Sequence, residues 1–305
     1  MSDIKPVINL KHKSALVVGG TGFLGIWLSK YLTEFGAETS LIARNELSLE
    51  KKNFINKPVN LYKLDIIKDR FDSDDNFDFI FYFPMLQIED LSNIISYEIH
   101  SKTIRNFLNY AKKHNSKFIL ASTGSVYGRY NQPVNENHSP RPETKHALLS
   151  KHMEDIALEY LQKKLNTIIL RYFFPYGRFQ NKQQFIPLIL NSIKQDKSLN
   201  IRGSLDDLRS NTYIEDSIKS TIMLASVDKI NGIYNVCSDS PISLKSILEI
   251  ISNELGKKAE IKIINRIMGD YPVMVGDNSK IKNEISYPYI SFQEGIKKMD
   301  LSETK

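Results

Sequence analysis

Residues 14–25 constrain the fold of this chain more than any other segment. Ala15, Leu16, Val17 and Val18 make a short apolar run, and Gly19, Gly22 and Gly25 follow at intervals of three. Leu24, Leu28, Tyr31 and Leu32 then recur at helical spacing. The pattern predicts a buried strand, a tight turn and an amphipathic helix. The first glycine permits the turn. The second lets a pyrophosphate approach the backbone, and the third lets the helix pack on the strand. The first turn of such a helix offers free N–H groups and a partial positive charge to an anion.

Strand-like and helix-like runs alternate through the first half. Strands are expected at 15–18, 39–43, 59–64, 77–83, 117–122 and 167–172, and helices at 22–35, 91–114 and 145–163. In the long helix Ile94, Ile95, Ile99, Ile104, Leu108 and Ala111 give an apolar stripe. This alternation predicts a parallel sheet covered on both faces, with its ligand at the C-terminal ends of the strands. After about residue 175, Pro, Gly, Asn and Asp punctuate shorter elements. Helices are expected at 185–194, 214–226 and 244–255, strands at 233–236 and 259–264, and a frayed end at 302–305.

Composition narrows the class. Over 305 residues, 41% are hydrophobic and 25% charged, with a net charge of +6. The lysines are scattered, and no basic stripe with interleaved aromatics points to nucleic acid. A bias toward small anions is expected instead. No apolar run is long enough to span a membrane, and residues 1–13 carry no apolar signal core. The single cysteine, Cys237, cannot form an intrachain disulfide and fits a reducing, cytoplasmic compartment.

Arg44 ends the second strand, where an acidic residue would bind the adenosine ribose of NAD. An arginine there can pair with a 2′-phosphate or stack on the adenine; the first tips the expectation from NAD toward NADP. Asp65 ends the next strand and can accept from the adenine amino group, or stand as a strand-end or helix-capping residue.

Further motifs follow in order: Ala121-Ser122-Thr123-Gly124-Ser125-Val126-Tyr127-Gly128, Ser150-Lys151, Leu170-Arg171-Tyr172-Phe173-Phe174-Pro175-Tyr176-Gly177, Arg209 before Tyr213-Ile214-Glu215-Asp216, and Gly232-Ile233-Tyr234-Asn235-Val236. With the glycine turn, they make the chain resemble the extended short-chain dehydrogenases/reductases that act on nucleotide-linked sugars as epimerases, dehydratases or reductases. The resemblance implies an α/β fold, a Rossmann-type doubly wound parallel sheet with a smaller C-terminal α/β substrate-binding region. Residues 1–175 would form the dinucleotide-binding domain and 176–305 an interleaved nucleotide-sugar-binding region. NADP or NAD would lie against Gly19, Thr21, Gly22, Phe23, Leu24 and Gly25. It would continue along Arg44, Asp65, Ile66 and Phe83 to Lys151, Tyr172 and Phe173. The substrate would meet Thr123, Phe174, Arg209 and Arg266. No metal is implied. The helices 91–114 and 145–163 resemble the pair that forms a homodimer interface. Leu148, Leu149, Ile156, Leu158 and Leu161 supply apolar surface for it.

The family's chemistry is hydride transfer between a sugar carbon and the nicotinamide. A tyrosine whose pKa is lowered by a nearby lysine exchanges the hydroxyl proton, and a serine or threonine hydrogen-bonds the same oxygen. Thr123 and Lys151 match two of these. The tyrosine's position, one turn before Lys151, is Ala147. Without a replacement the proton relay loses a factor of roughly 10²–10⁴. Three explanations stand: a member that binds without the usual turnover, another base with His146 as first candidate, or an engineered replacement. On a helix, His146 points about 100° from Ala147. His100 stands where an Asn is common. Phe174 stands where the family has an Asn against the substrate diphosphate, and 81–85 is bulkier than usual.

Overall fold

The computed structural model describes residues 8–84 and 94–299. Its spine is a seven-stranded parallel sheet. β1 (Ser14–Val18) lies centrally, with β2 (Glu38–Ala43) and β3 (Asn60–Lys63) on one side. On the other lie β4 (Phe79–Tyr82), β5 (Lys117–Thr123), β6 (Thr167–Tyr172) and a last strand, Gly232–Val236. The strand order reverses beside β1, which opens a crevice at the C-terminal ends of β1 and β4. The doubly wound α/β fold expected from the sequence is thus present.

Apolar runs without alternation are what a sheet buried on both faces requires. Ala15, Val17, Leu41, Phe79, Phe81, Ile119, Ile168 and Leu170 face one core. There they meet α1 (Phe23–Glu34), α6 (Ile214–Ser226) and α7 (Leu244–Leu255). Leu16, Val18, Ile42, Ile80, Tyr82, Phe118, Leu120 and Ile169 point the other way. They pack on Ile104, Phe107, Leu108 and Ala111 of α3 (Ile94–His114), and on Leu149, Met153, Ile156 and Ala157 of α4 (Lys145–Gln162). Burial of these side chains at about 25 cal/mol per Å² is the main force holding each layer to the sheet.

The helix expected from residue 91 is described from Ile94. Residues 91–93, the side chains of Ile94 and Ile95, Met85 of the 81–85 segment and the end at 302–305 lie outside the described residues. α2 (Leu49–Ile55) was not anticipated. It is a two-turn helix N-capped by Ser48, with Leu49 exposed and only Ile55 buried, so it shows no apolar stripe. Of the five residues expected to supply interface surface on α4, Leu149 and Ile156 are consumed by the chain's own core. Leu148 is exposed.

The C-terminal half carries α5 (Phe185–Lys194) and short strand pairs. Leu199–Arg202 pairs with Ile261–Ile264, shorter than the 259–264 expected, and Leu208–Arg209 lies between Ile242–Ser243 and Val273–Met274. Its helices share the core of α1 and the sheet.

Candidate active site

The crevice is lined first by the glycine turn. Gly19 has φ +83°, and a Cβ there would lie 2.4 Å from the Phe83 carbonyl oxygen, which closes off every other residue type. A Cβ on Gly25 would stand 2.3 Å from the Gly19 carbonyl oxygen, so the helix can sit this close to the turn only with glycine. Gly22 differs: a Cβ there would meet nothing nearer than the Gly19 carbonyl oxygen at 3.3 Å. The space above it is open. α1 begins after Gly22 with no side-chain cap and no acidic residue in its first turn. The first-turn N–H groups of Phe23, Leu24 and Gly25 have no intrahelical acceptor. An uncapped helix end over an open glycine fits a pyrophosphate.

The second wall is built by β5, β6 and α4. Thr123 ends β5 opposite Tyr172 of β6. Its hydroxyl oxygen accepts from the Ser125 N–H at 3.1 Å and caps the 3-10 turn Gly124–Tyr127. The hydroxyl proton remains available to donate. α4 starts after Thr144, whose Oγ1 accepts from the Ala147 N–H at 3.2 Å. Ala147 is fully buried and Lys151 is half-buried, one turn on, with its ammonium on the Asp155 carboxylate. His146 is half-buried beside Ala147, and burial draws its pKa below the usual imidazole value.

A buried ion pair locks this wall. Glu154 accepts from Arg171 Nε at 2.9 Å and Nη2 at 2.7 Å, and from the Ser122 hydroxyl at 2.5 Å. Both side chains are almost wholly inaccessible. The Arg171 guanidinium also lies 4.5 Å from the centre of the Tyr127 ring. Tyr127 donates to Asn235 Oδ1 at 2.8 Å, and burial pushes its phenol up to about 12. α4, β5 and β6 are thereby tied together three residues beyond Lys151 and one before Thr123.

The third group is cationic. Arg266 donates from Nη1 and Nη2 to the two carboxylate oxygens of Asp207, each at 2.6 Å. Arg209 lies 3.7 Å from the same carboxylate and 5.8 Å from the Phe174 ring centre. Phe174 has φ +41°, an uncommon conformation for a bulky residue and one that asparagine tolerates better. Three residues past Arg266, a Cβ on Gly269 would lie 2.5 Å from Thr144 Cγ2. The loop with Arg266 therefore rests on the N-terminus of α4, near Ala147.

Comparison with known proteins gives the family and the fold. Residues 15–237 match the NAD dependent epimerase/dehydratase family. The chain belongs to that family. It is 32% identical to the dTDP-4-dehydro-6-deoxyglucose reductase of Escherichia coli over 200 residues, 63% of each protein. It is 31% identical to the UDP-glucuronate 4-epimerase of Thermodesulfobacterium geofontis over 189 residues, 60% of this chain and 57% of the relative. It thus spans less than two thirds of the length of these curated relatives. The UDP-glucuronic acid 4-epimerase of Bacillus cereus, solved with UDP-glucuronic acid and NAD, superposes with a TM-score of 0.82. That likeness covers 95% of this chain and 98% of the other at 22% identity, and is one of fold.

Against the family pattern, the structure gathers Thr123, Ala147, Lys151, Phe174 and the Arg209–Arg266 pair at the C-terminal edge of the sheet, where the glycine turn also lies. Arg44 is exposed at the end of β2 and forms no ion pair among the described residues. The Asp65 carboxylate accepts from the Ile67 N–H at 3.1 Å, which makes it a turn cap, and the Ile66 carbonyl accepts from Thr103 at 3.2 Å. The Phe83 ring packs edge-on against Tyr172 at 6.0 Å, while the Tyr172 hydroxyl is taken by Thr221 at 2.7 Å. The Phe173 ring is buried against Gly124 and Gly276, away from the turn's own core. Its backbone is committed as well: the N–H donates to the Val236 carbonyl at 3.0 Å and the carbonyl accepts from the Thr212 hydroxyl at 3.0 Å.

Sequence reasoning missed three residues. Lys51, on α2, donates to the Thr21 carbonyl at 2.7 Å and braces the glycine turn. Glu154 and Asp207 hold the site's cations. Glu154 follows Lys151 at helical spacing, which is a usable signal. Asp207 lies two residues before Arg209 but 59 from Arg266, and no local pattern links that pair.

Proposed function

We propose that this chain modifies a nucleotide-linked sugar by hydride transfer at a sugar carbon, with NAD(P) as cofactor, as an epimerase, reductase or dehydratase. The observation that carries the reading is the convergence of two arginines at the strand ends, beside a phenylalanine and opposite an uncapped glycine turn. An arginine pair suits a diphosphate, and the turn suits a pyrophosphate. Residues 1–175 serve mainly the dinucleotide and 176–305 the nucleotide-sugar. Arg44, exposed at the end of β2 and without an ion pair among the described residues, favours NADP over NAD through a 2′-phosphate. The protein works as a homodimer through α3 and α4, with Leu148 on the shared surface.

When bound, the nicotinamide supplies the hydride acceptor or donor. The residues do the rest. The backbone at 22–25 and Lys151 orient the cofactor, and Arg209 and Arg266 fix the substrate diphosphate. Thr123 donates a hydrogen bond from its hydroxyl to the reacting sugar oxygen and keeps its proton. Ala147 can hold no proton, so the ordinary exchange at that oxygen lacks its usual partner. His146 is the nearest titratable group on the helix, and its lowered pKa keeps it neutral and able to accept.

A second reading is favoured by Ala147 itself: the protein binds dinucleotide and nucleotide-sugar without the usual turnover. Calorimetry with NAD, NADH, NADP and NADPH, followed by nicotinamide absorbance on adding UDP- and dTDP-sugars, separates the two. An absorbance change supports the enzyme, and binding without change supports a protein that binds without turnover. Failure to bind any dinucleotide overturns both.

A further inference from the structure

Near the crevice a buried acid lies between two arginines. Asp207 is 3% exposed. Its backbone is fixed on both sides: its N–H donates to the Ser204 carbonyl at 3.2 Å, and its carbonyl accepts from the Leu244 N–H at 3.0 Å. Its carboxylate therefore has a set position, and it meets both arginines.

The two guanidinium groups are held in a related way. Arg209 commits Nη1 to the carbonyls of Leu208 at 2.9 Å and Pro272 at 3.3 Å. Its Nε and Nη2 edge makes no hydrogen bond among the described residues, and its Nη2 is 3.7 Å from Asp207. Arg266 commits the inner hydrogens of Nη1 and Nη2 to Asp207, which leaves Nε and the outer hydrogens. Its plane lies against Gly203: a Cβ there would stand 2.5 Å from Nη1 and 2.6 Å from Cζ. Each arginine thus has one edge pinned and one fork left over, and a planar fork is what binds two phosphate oxygens.

The charges nearly cancel. Asp270, which accepts from the Ile267 N–H at 2.9 Å, adds a second negative charge beside the two arginines and Asp207. Long-range attraction then contributes little to holding an anion. Discrimination rests on how well the forks are aimed before the ligand arrives.

We propose that Asp207 is a positioning residue for the diphosphate of a nucleoside diphosphate. It acts through Arg266, and to a lesser degree Arg209, by fixing the guanidinium planes. The proposal rests on reading the arginine pair as the diphosphate site, and the experiment distinguishes the two. The affinities of UDP and dTDP for the full chain are measured by calorimetry for wild type, Asp207→Asn, Arg266→Met and the double variant. NADPH affinity reports an intact fold.

Asp207→Asn is expected to weaken the tighter nucleotide by about 10- to 100-fold with NADPH affinity unchanged. In the Arg266→Met background the same change should cost less than about threefold, because its target is gone. Unchanged or tighter binding by Asp207→Asn overturns the proposal, as does an equal loss in both backgrounds. A wild-type protein that binds NADPH but neither UDP nor dTDP overturns the diphosphate reading and the proposal with it. Should Asp207→Asn lose NADPH binding, Asp207→Glu decides. It keeps the charge and moves the planes, so weaker nucleotide binding supports positioning and wild-type binding refutes it.

Discussion

The two ends of the crevice are made from different materials. The glycine turn is almost all backbone: a glycine at φ +83°, a helix with an uncapped first turn, and clearances of 2.3–2.4 Å that admit no Cβ. The other end, proposed for the substrate, is made of charged side chains: Glu154 with Arg171, and Asp207 with Arg266 and Arg209. A backbone site tolerates drift in the residues around it, provided the glycines stay. A site of buried ions depends on every partner, because a charge left alone in the interior costs far more than the pair contributes.

The largest test of that contrast removes an ion. Glu154→Gln leaves Arg171 buried and uncompensated beside Tyr127. We expect a loss of about 3–5 kcal/mol, seen as a fall of roughly 10 °C in Tm. A loss under about 1 kcal/mol would mean that the ion pair does not govern this wall.

A second test uses pH. Asp216, at the start of α6, accepts from Tyr287 at 2.9 Å and the Ile290 N–H at 2.9 Å. Burial nonetheless raises its pKa from 3.8 to about 6. A carboxyl with a raised folded pKa favours folding when protonated. Its contribution is full below about pH 4 and disappears as pH rises through 6, with a span on the order of 3 kcal/mol. Urea unfolding at pH 4 to 7 should show wild type losing stability relative to Asp216→Asn across that window. Parallel profiles for the two proteins would refute the assignment.

The third test addresses Ala147. Ala147→Tyr restores a phenol one turn from Lys151 and near Thr123. With a suitable nucleotide-sugar, hydride transfer should rise by about two orders of magnitude or more. His146→Ala should slow wild type only if the imidazole has taken over the proton. A wild type that already turns over rapidly, and is slowed by the new tyrosine, would show that this site is rebuilt and not impaired.

The same contrast explains what was legible in the sequence. Strands could be read because burial on both sheet faces imposes a continuous apolar run, most helices because one buried face imposes a helical period, and Gly19, Gly22 and Gly25 because backbone clearance imposes a residue type. α2 escaped because only Ile55 of its seven residues is buried. Thr123 and Lys151 were found through motif order. Their supports were not, since Glu154 meets Arg171, and Asp207 meets Arg266, by tertiary contact alone. Phe173 illustrates a limit of motif transfer: its place in the chain matches, but its ring fills a separate small core with Val126, Tyr127, Val134 and Cys237.

The backbone end gives smaller effects, of a predictable kind. Gly25→Ala forces a methyl group to within 2.3 Å of the Gly19 carbonyl oxygen, so α1 must move off the turn. Overpacking of this sort costs about 1–3 kcal/mol. Dinucleotide affinity should fall at least about tenfold in calorimetry, while UDP or dTDP affinity stays near wild type. Equal losses for both ligands would dissolve the distinction between the two ends.

The smallest effect is expected from the charge proposed for the cofactor end. Arg44 is exposed at the end of β2, and water screens whatever it contacts. Exposed ion pairs contribute about 0.2–1 kcal/mol, which corresponds to less than about fivefold in affinity. Arg44→Ala should therefore weaken NADPH by a few-fold and leave NADH unchanged, and raising the salt concentration should shrink the difference further. If the variant binds NADPH as well as wild type does, Arg44 gives no reason to favour the 2′-phosphate. If instead NADH weakens equally, the guanidinium stacks on the adenine and serves both cofactors alike. The two outcomes differ because only one of the dinucleotides carries the phosphate, whereas both carry the ring.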